Sequence, residues 1–125
     1  MNHPYVKDVT SRFSSSTVIV VNSYRDVFFR KPQDFNIQKR SKCLILAIKK
    51  TSFLYKGSPF AQSSGSSNFF YNTLSMNCLY DCSYCYLQGM YPSAHIVCFL
   101  NIEDYFSDTI KAINNRHDQS QPLFL

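Results

Sequence analysis

The chain has 125 residues, 45% of them hydrophobic, and a formal net charge of +5. That length fits one small domain or part of a larger one, and that apolar fraction excludes wholesale disorder. No apolar run approaches the ~18 residues of a membrane-spanning helix, and the opening MNHPYVKDVTSRF has no apolar signal region. The expectation is a cytoplasmic protein with reduced thiols and no membrane partner.

In chain order, residues 1–15 are polar and read as a disordered arm. Thr17 to Val21 (TVIVV) is β-branched and predicts a strand. Asn22 and Ser23 offer a cap for a short helix or turn over Tyr24 to Phe29, which Pro32 ends. Gln33 to Arg40 predicts a second short helix, with Lys39 and Arg40 suited to its C-terminal end. Cys43 to Ile48 (CLILAI) is a continuous apolar run between lysines, which predicts a strand buried on both faces. Residues 16–55 thus form an N-terminal α/β segment. Its basic surface is concentrated between Arg25 and Lys50, where eight Lys or Arg face two Asp. Such a stretch suits either a solvated face or phosphate contacts with DNA.

Residues 56–68 hold Gly57, Pro59, Gly65 and a run of serines, and predict a loop. Phe69 to Leu74 predicts a strand that feeds directly into a cysteine-rich loop. His95 to Leu100 (HIVCFL) predicts another strand, with Cys98 as a buried thiol; Cys43 is likewise expected in the core. Asn101 can cap a helix on which Phe106, Ile110 and Ile113 recur at helical spacing. Pro122-Leu123-Phe124-Leu125 reads as the start of a further strand, an expectation of truncation. Strand, loop, strand, helix and incipient strand over residues 69–125 predict α/β architecture with parallel pairing.

The chemistry-bearing feature is Cys78-x-x-x-Cys82-x-x-Cys85. Three thiolates on one loop can ligate three irons of a cubane cluster and leave the fourth open. Asp81, within that loop, is read as a turn former. Zinc is the rival occupant. A structural zinc needs four ligands, so Cys98 or His95 would have to join the three cysteines.

The spacing, with Tyr84 directly before the third cysteine, resembles the hallmark of the radical S-adenosylmethionine superfamily. The run Cys82-Ser83-Tyr84-Cys85-Tyr86-Leu87-Gln88 resembles spore photoproduct lyase and its homologues, as do Tyr24–Phe28, Gln33–Ser41, Leu44–Lys49 and Val97–Phe106. The resemblance spans about residues 18–125. It implies a [4Fe–4S] cluster on Cys78, Cys82 and Cys85, with S-adenosyl-L-methionine on the open iron. It places Tyr84 beside the adenine and gives Tyr86 a catalytic part near the radical relay. It further implies an external electron donor, a thymine-dimer substrate in DNA, and a fold that is the N-terminal portion of a partial (β/α) TIM-type barrel.

In that family the hydrogen-donor cysteine lies well beyond the third cluster cysteine, past Leu125, and neither Cys43 nor Cys98 matches it. The isolated chain is therefore expected to be an inactive fragment. Two other readings stay open: a radical S-adenosylmethionine protein with a non-DNA substrate, and a non-catalytic zinc- or cluster-binding nucleic-acid module.

Overall fold

Alternate residues of Leu44–Ala47 (β1) and Ile96–Phe99 (β5) are buried: Ile45 and Ala47 on the first strand, Val97 and Phe99 on the second. Side chains in a strand point to opposite faces in turn, so each strand offers one face to a core. The two pair in parallel, Leu44 opposite Ile96 through Ala47 opposite Phe99. Ser75–Met76 (β4) adds antiparallel on the far side of β5, giving the order β1-β5-β4. The computed structural model describes residues 3–58, 60, 66–86 and 88–125. Much of the expected loop over residues 56–68, and Leu87 of the cysteine motif, lie outside the described residues.

The chain divides into two units, Met1–Ile48 with Ser75–Leu100 and Lys49–Leu74 with Asn101–Leu125. Among the described residues, this mixed α/β chain has one three-stranded sheet, one two-stranded sheet and no closed barrel.

In the first unit, Pro4–Arg12 (α1) is helical where a disordered arm was expected, although none of its residues is buried. Pro at the helix start has a preset φ and no N–H to leave unpaired, which favours initiation there. Tyr24–Phe28 (α2) starts as expected at Ser23, whose hydroxyl accepts the Arg25 N–H. Phe35–Arg40 (α3) is capped by Asp34, which accepts the Ile37 N–H at 2.9 Å. Phe28 is fully buried, with Phe29 and Tyr91 rings at 5.0 and 5.3 Å. Tyr24 meets Phe99 edge-on at 5.6 Å.

An amide chain ties these helices to the approach to β5. Gln33 donates to the Phe28 carbonyl, Gln38 donates to Gln33 Oε1, and Gln38 Oε1 accepts from Ser93 Oγ and Ala94 N–H. Each amide uses both its ends, which is what a partly buried polar group requires.

In the second unit, Leu54–Lys56 (β2) pairs antiparallel with Phe70–Asn72 (β3). Phe53 is 1% exposed and packs against Tyr105 of Ile102–Asn114 (α4). Asp108 of α4 accepts the Phe53 N–H and the Ser52 hydroxyl, both at 2.9 Å. The fully buried Asn68 is satisfied by the carbonyls of Asp118 and Gln121. Its strand neighbour Phe69 forms a parallel bridge with Phe124, so the C-terminal residues read as an incipient strand do meet a partner.

Several expectations are corrected. Thr17–Val21 is not a strand: Val18, Ile19 and Val20 are 65, 77 and 84% exposed. β propensity expresses packing against neighbouring strands, and among the described residues none lies beside this segment. β1 is covered on one face, not two, and Cys43 is exposed rather than in the core. Cys98 is half-buried because it alternates out of phase with Val97 and Phe99. The strand within Phe69–Leu74 does not feed the cysteine loop directly. β3 pairs in the second unit, and the separate β4 leads into the loop. Asn101 does not cap α4 with its side chain. Instead it clasps both the N–H and the carbonyl of Lys49 and donates to Asp104. The stripe Phe106, Ile110 and Ile113 is 56, 58 and 39% exposed.

Candidate cysteine-loop site

β4 delivers the chain to Asn77, whose φ of 65° turns it into the loop. Asparagine is one of the few residues that take this left-handed conformation readily. Its Nδ2 donates to the carbonyls of Ser93 and His95, at 2.6 and 2.7 Å. The loop therefore starts from a fixed point beside β5. It ends at Gly89, whose φ of 79° suits a residue without a Cβ.

Between these points, Cys78 is exposed, and Cys82 and Cys85 are half-buried; all three are free thiols. The Cys85 N–H donates to the Cys82 carbonyl at 3.0 Å, and the Gln88 N–H to the Cys85 carbonyl at 3.2 Å. Two consecutive turns thus bring the second and third cysteines round. Gln88 Nε2 also donates to the Cys82 carbonyl.

Two lysines of the basic stretch grip this loop from outside. Lys39 of α3 pairs with Asp81 Oδ1 at 2.5 Å and donates to Gln88 Oε1 at 2.9 Å. Lys42 donates to the Leu79 carbonyl at 3.0 Å. Asp81, expected as a turn former, carries an ion pair. A cleft at the base of the loop is lined by Phe35, Lys39, Lys42, Asn77, Cys78 and Cys85, among others. The basic stretch is divided between the units: Arg25 to Lys42 belong to the first and Lys49 and Lys50 to the second. Arg25 lies over the Phe29 ring at 5.7 Å, and Lys49 donates to Tyr55 Oη at 2.6 Å.

Tyr84 and Tyr86 project from the loop, 90 and 85% exposed, and Leu79 and Tyr80 are 73 and 78% exposed. Among the described residues, no three His, Cys, Asp or Glu side chains gather into a set that would hold a metal ion. His95 Nδ1 accepts the Cys43 N–H at 3.2 Å. That bond requires a neutral ring with its proton on Nε2. Burial pushes the His95 pKa below its ordinary 6.5, which favours the same state.

The motif named the three cysteines, but their supports were missed. Asn77, directly before Cys78, carried a signal in its residue type, since asparagine tolerates a positive φ. Lys39 carried none, because 49 residues separate it from Gln88 and lysine is usually solvated. No helix among the described residues is long and apolar enough to cross a membrane. Comparison with protein-family models, curated proteins and solved structures finds no match to this chain.

Proposed function

We propose that the chain is the cluster-binding part of a radical S-adenosylmethionine protein of the spore photoproduct lyase kind, the opening of a partial TIM-type barrel. The observation that carries this reading is the Cys78, Cys82, Cys85 spacing on a loop fixed at Asn77 and gripped by Lys39 and Lys42. The donor set suits the group in kind: three soft thiols on one loop, none in a disulfide, with Cys82 and Cys85 joined by a hydrogen-bonded turn.

A cubane asks each thiolate for its own iron corner, whereas tetrahedral zinc asks four donors to meet on one ion. The extra donors that zinc would recruit are on β5, where Cys98 sits, or just before it. There His95 Nδ1 is already used as an acceptor.

When bound, the cluster would supply one electron to S-adenosylmethionine held on its open iron, giving methionine and a 5′-deoxyadenosyl radical. Cys78, Cys82 and Cys85 would hold the three closed corners. Tyr84 would lie along the adenosyl group, and Tyr86 would stand near the radical relay. Their exposure leaves both rings accessible to a ligand. The substrate in this reading is a thymine dimer in DNA, reached by taking the damaged bases out of the stack. The exposed Arg40, with the other basic residues around α3, offers charge for the phosphate backbone.

Anaerobic reconstitution with iron and sulfide tests the reading. The expected product is brown and holds about four irons and four sulfides per chain. Reduction should then release 5′-deoxyadenosine from S-adenosylmethionine. A colourless protein holding zinc, or no metal, would overturn the proposal. Iron uptake and 5′-deoxyadenosine release without dimer repair would leave a radical S-adenosylmethionine protein with a different substrate.

A further inference from the structure

Resting on the iron–sulfur reading, we propose that Lys39 and Gln88 are positioning residues. They fix the backbone that carries Cys82 and Cys85 before any metal arrives. No motif marks Lys39 for this task; the fold brings it there.

The Lys39 side chain is 24% exposed, and its ammonium is held on three sides. Asp81 Oδ1 lies at 2.5 Å, Gln88 Oε1 at 2.9 Å and the Phe35 ring centroid at 5.5 Å. Gln88 uses its other end on the loop itself, with Nε2 donating to the Cys82 carbonyl, which also receives the Cys85 N–H. The Cys82 carbonyl is therefore fixed from two directions, and the peptide that carries the second cysteine cannot rotate freely. The anchor behind Lys39 is firm as well, because the adjacent Gln38 binds Ser93 and Ala94 at the approach to β5. An exposed ion pair would add little, but here pair, amide and carbonyl form one connected network. Metal sites depend on such supports, since ligands held ready need less ordering when the metal binds. Lys42 is a separate anchor: its bond to the Leu79 carbonyl acts next to Cys78 and leaves Cys82 and Cys85 untouched.

The metal-free, reduced chain tests the clamp through timed iodoacetamide labelling, read at each cysteine by peptide mass spectrometry. In the wild type, the exposed Cys78 should label faster than Cys82 and Cys85. Lys39→Ala and Gln88→Ala should each raise labelling at Cys82 and Cys85 by about fivefold, the factor expected from losing one net hydrogen bond. Cys78 should change by less than about twofold. Lys39→Arg, which keeps the charge but replaces a compact ammonium with a planar guanidinium, should restore the wild-type pattern only in part. Lys42→Ala should speed Cys78 alone. In the reconstituted protein, Lys39→Ala and Gln88→Ala should release iron to a chelator faster and alter the electron paramagnetic resonance line shape of the reduced cluster.

Unchanged labelling at Cys82 and Cys85 in both alanine variants would overturn the clamp. So would a uniform rise that includes Cys43 and Cys98, which signals general loosening. A wild-type chain that labels as expected yet takes up no iron would overturn the function proposed above, and a normal iron content with unchanged labelling would overturn the clamp alone.

Discussion

Asn77 donates its side-chain amide to the carbonyl of His95 across 2.7 Å while its own backbone stands in the left-handed region at φ 65°. One residue thus performs two tasks: it turns the chain out of β4 and pins the turn to the segment entering β5. The two tasks can be separated. Asn77→Gly keeps the backbone freedom and loses both side-chain bonds, whereas Asn77→Ala loses the bonds and adds strain. The expected losses of stability in chemical denaturation are about 1–3 kcal/mol for glycine and a further ~1 kcal/mol for alanine. Equal losses would mean that the positive φ contributes nothing.

Phe28 should dominate the packing of the first unit. It is fully buried against Phe29 and Tyr91, and its truncation would leave a cavity beside those two rings. Phe28→Ala should cost about 3–5 kcal/mol, and Phe28→Leu clearly less. The neighbouring Phe29 is 38% exposed, so Phe29→Ala should cost far less, and the difference is readable as a difference in urea midpoint.

Asp108 should matter to the second unit more than an acidic residue on a helix surface normally does. Its carboxylate receives the Phe53 N–H and the Ser52 hydroxyl, and so fixes the entry to β2 beside the buried Phe53 ring. Asp108→Ala should lower stability by about 1–3 kcal/mol, because hydrogen bonds to a charged acceptor exceed neutral ones. Asp104→Ala, on the same helix, removes a partner of Asn101 only and should cost less.

Acid should weaken the fold in two stages. Burial holds the His95 pKa below its ordinary 6.5, so the unfolded chain binds this proton more readily than the folded one. The stability carried by neutral His95 is therefore complete above about pH 6.5 and is lost as pH falls below it. Asp108 is held below its ordinary 3.8, chiefly by the Phe53 N–H and then by the Ser52 hydroxyl. Its contribution is complete above about pH 3.8 and is lost as pH falls through the folded value. Melting temperature recorded against pH should show both declines. His95→Gln should flatten the upper one and Asp108→Asn the lower.

Local sequence was enough for the short helices and their caps. Ser23 and Asp34 each bind an N–H of their own first turn, and such bonds depend on neighbours a few residues away. It was enough, too, for β1 and β5, whose apolar runs are short and bounded, and for the presence of three cysteines at cluster spacing. It failed where a structure depends on a distant partner. Thr17–Val21 has every local mark of a strand and, among the described residues, pairs with none. Leu54–Lys56 has few such marks and becomes one because Phe70–Asn72 lies beside it.

The same division runs through the site. The residue types and spacing of Cys78, Cys82 and Cys85 are a property of one short segment, and so the donor set could be read from the sequence. Only tertiary structure decided that Lys39 reaches Gln88, that Lys42 reaches Leu79 and that Asn77 reaches Ser93 and His95. Those bonds join segments far apart in the chain, and their energies exist only after packing has brought the segments together. A lysine carries no trace in its sequence neighbours of whether water or a carbonyl will receive its protons.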